Sequence, residues 1–386
     1  MNTAASPELA RPATPALVAH CRAGFEPEAG VDLQRLAEAA GTTLLLDAPP
    51  GRGFVVGRPA RFNPARWTKA LAGASPIFVR SLFLGGGPHA LFDPASTRGR
   101  PDRIIPLLAL IDALRADLPL RTATAAPAFS ELRLETADTN DGKEVSSLCR
   151  ALAAPLAQAL TDAGTLVAGG EAPERVPRPR LHVLFADGAH VYVGISAPPW
   201  GSPWPMGIPR MRMPREAPSR STQKLAEAFV AFLGERAPEL LRAGMKAVDL
   251  GAAPGGWSWQ LAHRGLFVTA VDNGPLKGEV AQDSLVTHLR VDGLTYRPRR
   301  PVDWMVCDIA EQPARIAALV GRWIAHGDAR RTIFNLKLPM KKRYDEVRRC
   351  EAIINETIAR AGVRHTLALR QLYHDREEVT GYCARE

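Results

Sequence analysis

Asp249-Leu-Gly-Ala-Ala-Pro-Gly-Gly-Trp257 constrains this 386-residue chain more than any other stretch. The run before it, Met245 to Leu250, is apolar and weakly alternating, as in a buried strand. After it, Trp257, Leu261 and Ala262 recur at helical spacing. The glycines therefore fall at a strand-to-helix turn, where glycine tolerates positive φ and lets backbone approach a ligand closely. The next strand, Leu266 to Val271, leads into Asp272, about 20 residues beyond the first glycine, where a carboxylate can grip a ribose diol. Together these describe a nucleoside-binding α/β half. The loop order Gly251, Ala252, Ala253, Pro254, Gly255, Gly256 does not fit the dinucleotide pattern GxGxxG, and Pro254 removes an amide donor. That argues against a nicotinamide dehydrogenase. A bulkier, less anionic ligand such as S-adenosylmethionine fits better.

The net charge of +9 favours a polyanionic partner. Cys21, Cys149, Cys307, Cys350 and Cys383 form no CxxC pair, and the histidines show no ligand spacing. Neither a disulfide framework nor a metal site is expected, and a reducing cytoplasm fits. The Ala/Pro-rich start carries Glu8 and Arg11 and lacks the apolar core of a signal peptide. Residues 1–15 read as a flexible tail. No stretch is apolar enough to span a membrane, and a monomer is expected.

Residues 16–90 read as a small α+β domain of ferredoxin-like type. Its helix runs through Leu33, Leu36 and Ala37, and its strands lie at Thr43–Leu46, Gly53–Val56 and Ile77–Phe83, the last closed by Gly85–Gly87. A second domain is expected over 91–197. It has an amphipathic helix over Arg103–Leu114 and a strand at Glu131–Thr136. A leucine stripe at 148, 152, 156 and 160 marks another helix, which Pro155 should kink or restart. A hairpin over Leu181–Phe185 and Val191–Ile195 turns at Asp187-Gly188.

A proline-rich linker follows over 198–218. Its Trp200, Trp204, Arg210, Arg212 and Arg215 suit RNA contact, with indole on base, or packing on a neighbour. Residues 219–386 read as a doubly wound α/β domain, opening on a helix from Ser219 to Phe232. Seven strands are expected at Ala247–Leu250, Phe267–Val271, Thr287–Val291, Trp304–Cys307, Thr332–Lys337, Thr366–Leu372 and Glu378–Cys383. No long helix separates the final two, so the last strand should be antiparallel.

Ligands of open α/β sheets lie beyond the C-terminal strand ends. That rule nominates Asp249 with Gly251, Asp272, Asp292, Asp308 and Lys337. A lysine closing a buried strand must have its charge paired or neutralised, and Asp308 ends the neighbouring strand. Lys224 and Glu378 would add a second ammonium and a second carboxylate.

Lys224, Asp308, Lys337 and Glu378 resemble the K-D-K-E tetrad of the FtsJ-like ribose 2′-O-methyltransferases, and Asp249–Trp257 resembles their cofactor loop. Within that family the chain is most similar to bacterial enzymes acting on a cytidine of 23S ribosomal RNA. The likeness runs from about residue 16 to the C-terminal region. It includes Cys21-Arg-Ala-Gly-Phe-Glu26, Ala137-Asp-Thr-Asn140, Met206-Gly-Ile-Pro-Arg210, Trp304-Met-Val-Cys-Asp308, Ile333-Phe-Asn-Leu-Lys-Leu-Pro-Met-Lys-Lys-Arg-Tyr344 and Gln371-Leu-Tyr-His-Asp-Arg-Glu-Glu-Val379.

The resemblance implies a THUMP-type RNA-binding domain over 91–197 and a class I methyltransferase fold over 219–386. It implies S-adenosylmethionine contacts at Ser221, Gly251, Ala253, Pro254, Gly255, Gly256, Asp272, Asp292 and Asp308, 23S rRNA or its precursor as partner, and Lys337 as proton acceptor. Ala253 stands where the family often has cysteine. Of Glu377 and Glu378 only one can face the pocket, and the following Val379 favours Glu378. The rival readings are base methylation and a non-catalytic rRNA-binding assembly factor. Asp308-Ile-Ala-Glu311 lacks the Asn/Asp-Pro-Pro-aromatic signature of amino-group methylation. Cytosine C5 methylation needs a cysteine nucleophile, and Cys307 should face away from Asp308.

Overall fold

The computed structural model describes residues 15–95, 97–117, 128–167, 178–198 and 200–386. The expected tail, Pro15 excepted, lies outside the described residues. The chain divides into two compact units, Met1–Ile208 and Pro209–Glu386, and that boundary falls within the expected linker.

In the first unit β1 (Ala16–His20), α1 (Glu26–Ala39), β2 (Leu44–Asp47), β3 (Phe54–Pro59), α2 (Pro64–Ala72) and β4 (Ser81–Ala90) run β-α-β-β-α-β. Then come α3 (Ile104–Asp117), β5 (Glu131–Thr136), α4 (Asn140–Asp162), β6 (Arg180–Phe185) and β7 (His190–Ser196). The strands make one sheet in the order β2-β3-β1-β4-β7-β6-β5. β4 pairs with β7 from Leu84↔Ile195 to Ala90↔His190. The segments 16–90 and 91–197, expected as separate domains, therefore share one sheet. Glycine makes the seam possible: a Cβ on Gly85 would strike the backbone of Val193 and Gly194.

Several elements depart from the sequence expectation. β4 begins at Ser81 rather than Ile77, because Asp32 Oδ2 accepts the amides of Ile77, Phe78 and Val79 at 2.9, 2.6 and 3.1 Å. Those amides are satisfied by a carboxylate instead of a ladder. The run Ala16–His20 is a central strand, and an additional helix, α2, opens where Asn63 caps Arg66 N at 3.1 Å with Pro64 beside it. Pro155 does not restart α4, which runs unbroken from Asn140 to Asp162. Pro155 is exposed, while Leu156 and Leu160 are buried and hold the following turn on the core. Trp200 is only 7% exposed, so its indole packs rather than waits for a base.

The second unit contains α5 (Ser221–Leu233), α6 (Ala237–Leu240), β8 (Lys246–Leu250), α7 (Gly256–Ala262), β9 (Phe267–Val271) and β10 (Val286–Leu289). It continues through β11 (Val302–Cys307), α8 (Pro313–His326), β12 (Ala329–Lys337), α9 (Arg343–Arg360), β13 (His365–Arg370) and β14 (Glu378–Arg385). The sheet order is β10-β9-β8-β11-β12-β14-β13. All neighbours are parallel except β14, which runs antiparallel to both β12 and β13. Leu225 and Phe229 of α5 and Trp257 and Leu261 of α7 pack with Trp304, Val306 and Ile333. Met305 and Cys307 alternate to the other face and are equally buried.

Candidate active site

The antiparallel insertion of β14 sets Glu378 directly opposite Lys337 in the β12–β14 register. Parallel β11 brings Asp308 to the same end of the sheet, one residue past Cys307. Lys337 Nζ donates to Asp308 Oδ1 at 2.5 Å and to Glu378 Oε2 at 2.6 Å. Lys224, in the first turns of α5, donates to Glu378 Oε1. The four residues nominated from sequence thus converge into one charge cluster, with Glu378 bridging two ammonium groups. Glu377 instead faces outward and pairs with Arg343 at 2.8 Å.

The charges decide the protonation of the site. Burial favours the neutral amine of Lys337, but Asp308 and Glu378 together outweigh it, and its pKa is raised above the ordinary lysine value. Burial would raise Glu378 as well, yet Lys337 and Lys224 hold it below the usual glutamate value. Lys337 is therefore an ammonium in the resting site.

The glycine turn lies between β8 and α7. Gly251 has φ 78°, and a Cβ there would approach Ile309 Cγ1 to 2.8 Å. Gly255 has φ 114°, and a Cβ there would meet Val280 at 2.6 Å. Gly256 lies against the hydroxyls of Ser221 and Ser219, which are 2.6 Å apart. Trp257 Nε1 donates to Ser221 O at 3.0 Å, tying α5 to the turn. Pro254 O accepts from Lys277 N at 2.9 Å. Asp272 accepts Ala253 N at 2.9 Å and Gly274 N at 2.7 Å, and so fastens the turn to the end of β9. Asp292 is exposed past β10, where its carboxylate takes Leu294 N at 2.9 Å. The neighbouring Gly293 comes close to Gly251: a Cβ there would lie 3.8 Å from Gly251 N. Asp249, fully buried, accepts from Ser258 Oγ at 2.7 Å and leaves its other oxygen without a partner. Burial, with Asp308 and Asp272 nearby, pushes its carboxyl up to about 7.

This donor set suits S-adenosylmethionine. Carboxylates line the strand ends and the turn lacks an amide at Pro254, which favours a ligand carrying a sulfonium and an amine over a pyrophosphate.

Sequence reasoning passed over four residues that the fold brings to the site. Asn335 Nδ2 donates to Asp308 Oδ1 at 2.9 Å, and Thr380 Oγ1 lies 2.8 Å from Asn335 Oδ1. Thr380 also meets Asp375. Glu227 of α5, buried, accepts Tyr373 N, His374 N and His374 Nδ1 at 2.7, 2.9 and 2.6 Å, which seats the turn leading to β14. The one local signal was Asn335, a polar residue inside an apolar strand.

Residues 217–351 match the family profile described as FtsJ-like methyltransferase, and residues 102–197 match that of ribosomal RNA large subunit methyltransferase M, N-terminal. The chain is 46% identical to the ribosomal RNA large subunit methyltransferase M of Aromatoleum aromaticum over 378 residues, spanning 95% of this chain and 94% of that protein. It is 45% identical to the protein of that name from Thauera aminoaromatica over 95% of each. With that from Methylococcus capsulatus it shares 46% identity over 95% of this chain and 97% of the relative. The chain therefore belongs to the ribosomal RNA large subunit methyltransferase M family, and with it to the S-adenosylmethionine-dependent rRNA methyltransferases.

Proposed function

We propose that the chain methylates the ribose 2′-hydroxyl of a cytidine in 23S rRNA, with Lys224, Asp308, Lys337 and Glu378 as its catalytic set. The observation that carries this reading is the pair of contacts from Lys337 Nζ, at 2.5 and 2.6 Å, to carboxylates on two different strands. Ser221, Gly251, Ala253, Pro254, Gly255, Gly256, Asp272, Asp292 and Asp308 are assigned to the cofactor. S-adenosylmethionine supplies an electrophilic methyl group on a sulfonium.

The protein's part is to hold the acceptor oxygen in line, about 3–3.5 Å away, and to manage its proton. Lys337, an ammonium at rest, meets that oxygen as a hydrogen-bond donor and steadies its developing charge. To accept the proton, Lys337 first passes one of its own to Asp308. Lys224 keeps Glu378 anionic and in place.

Methylation at cytosine C5 is disfavoured. Cys307 is fully buried, and burial pushes its thiol up to about 12, so a thiolate nucleophile is not at hand. Mass spectrometry of digested rRNA from a deletion strain, with and without the gene restored, separates ribose-methylated from base-methylated cytidine. Loss of a base-methylated nucleoside alone would overturn the ribose assignment.

Within the first unit, residues 91–197 are proposed as a THUMP-like RNA-binding domain. Beside the tetrad, the turn after β12 exposes Met340, at 91%, with Lys341 and Lys342. Both ends of this turn are fixed to Glu377: Leu338 N donates to its carbonyl at 2.8 Å, and Arg343 pairs with its carboxylate at 2.8 Å. Two lysines so held suit the phosphates flanking the target nucleotide. Lys341→Ala combined with Lys342→Ala is expected to weaken rRNA binding on the order of tenfold and to lower the salt slope by about 1.4, at about 0.7 per contact on a single strand. S-adenosylmethionine affinity should stay unchanged in titration calorimetry. An unaltered salt slope would remove these lysines from the interface. Five buried, unpaired cysteines accord with work in the cytoplasm. A monomer is proposed, to be checked by sedimentation.

A further inference from the structure

Behind the Asp308–Lys337 contact runs a line of buried polar groups. Asn335, Thr380 and Asp375 are all 0% exposed. Asn335 lies two residues before Lys337 on β12, and Thr380 is its partner on β14. Asp375 sits in the turn between β13 and β14.

Counting hydrogens fixes the direction of this line. Asp308, paired with an ammonium, is ionised and can only accept. Asn335 therefore presents its amino group to Asp308, at 2.9 Å, and its carbonyl to Thr380. That carbonyl also only accepts, so it takes the single hydroxyl hydrogen of Thr380, at 2.8 Å. Thr380 then has no hydrogen left for Asp375, whose oxygens stand 3.0 and 2.9 Å away. Asp375 Oδ2 already accepts Leu372 N at 2.9 Å. A hydrogen bond between Asp375 and Thr380 thus requires the proton on Asp375, at Oδ1.

We infer that Asp375 is a carboxylic acid in the working enzyme and a positioning residue for methyl transfer, donating through Thr380 and Asn335 to fix Asp308 beneath Lys337. This rests on the role proposed above for Asp308 and Lys337 and adds to it a proton that the site must keep. Ionisation of Asp375 would draw the Thr380 hydrogen away from Asn335, leave that carbonyl unpaired and free the amide to turn from Asp308. Burial pushes the Asp375 carboxyl up to about 8, helped by the charges of Glu378 and Glu227 and opposed by the Leu372 amide and Thr380. The neighbouring polar groups are committed elsewhere: Lys224 and Lys337 to Glu378, and His374 to Glu227.

Asp375→Asn tests the inference, because an amide can donate to Thr380 and accept from Leu372 at every pH. Its kcat at neutral pH should stay within about threefold of the parent, while Asp375→Ala and the isosteric Thr380→Val lose on the order of tenfold in kcat with KM for S-adenosylmethionine little changed. Relative to Asp375→Asn, the parent should lose kcat as pH rises through 8. In the parent-minus-Asp375→Asn infrared difference spectrum, where the buried Asp249 cancels, a protonated-carboxyl band should appear and fade over the same range. Asp375→Asn as impaired as Asp375→Ala, the same alkaline loss in both proteins, or no such band would each overturn the inference. Lys337→Ala, assayed in parallel, separates the two claims: activity retained there refutes the tetrad, while the infrared band still reports on Asp375.

Discussion

Lys337→Ala is expected to abolish methyl transfer, by on the order of a thousandfold or more in kcat, while S-adenosylmethionine still binds. Lys337 is the cation that touches both carboxylates of the cluster. Alanine leaves Asp308 and Glu378 without the charge between them and removes the donor proposed to meet the acceptor oxygen. The cofactor turn is held by other bonds, from Ala253 and Gly274 to Asp272 and from Trp257 to Ser221, none of which involves Lys337. Calorimetry with S-adenosylmethionine should therefore give a Kd close to that of the parent. Lys337→Arg keeps a charge but replaces a compact ammonium with a planar fork that cannot take up a proton, and it should recover little activity. Turnover retained in Lys337→Ala would falsify the assignment.

Glu378→Gln should cost both activity and stability. Glu378 is 6% exposed and holds Lys224 on one oxygen and Lys337 on the other. Glutamine has one oxygen to offer, so its amino group must face an ammonium. Lys337 also loses one of the two anions that raise its pKa, and burial pulls that value down. A loss on the order of 10²–10³ in kcat is expected. Stability should fall by about 3 kcal/mol, the scale for leaving a largely buried charge without its partner.

The pH dependence follows from the direction of the Glu378 shift. Its folded pKa is depressed, so its contribution is present above the ordinary glutamate value and is lost as pH falls through the folded one. The deficit of Glu378→Gln should thus be full at neutral pH and shrink in acid. Denaturant melts of both proteins at neutral and acidic pH check this, and an equal deficit at both would contradict the proposed bridge.

What could be read from the sequence was what neighbours in the chain determine. The glycine turn announced itself because an apolar run, the turn and a helical stripe follow within a few residues of one another. Asp308 and Lys337 stood out because each is a charge ending an apolar strand. Asp375 did not, because polarity in a turn reads as solvation, whereas the fold buries it against Thr380 of β14. Thr380 and Asn335 are 45 positions apart, and only the antiparallel return of β14 makes them partners. The start of β4 was misplaced for a similar reason, since Asp32 claims amides 45 to 47 residues away. Trp200 could have stacked or packed, and only the fold shows it packed. The charge on Lys337 was open in sequence because burial and Lys224 pull one way and two acids the other; the balance needed their distances.

The seam between β4 and β7 bears on how the N-terminal half can be handled. A fragment trimmed to residues 102–197 would keep β5, β6 and β7 but strip β7 of its outer neighbour, baring a row of amides and carbonyls to any strand that drifts by. Such a piece invites fibrils and swapped dimers. The two stretches behave as a zipped sheet rather than as beads on a string, and the sensible place to cut lies beyond Ile208.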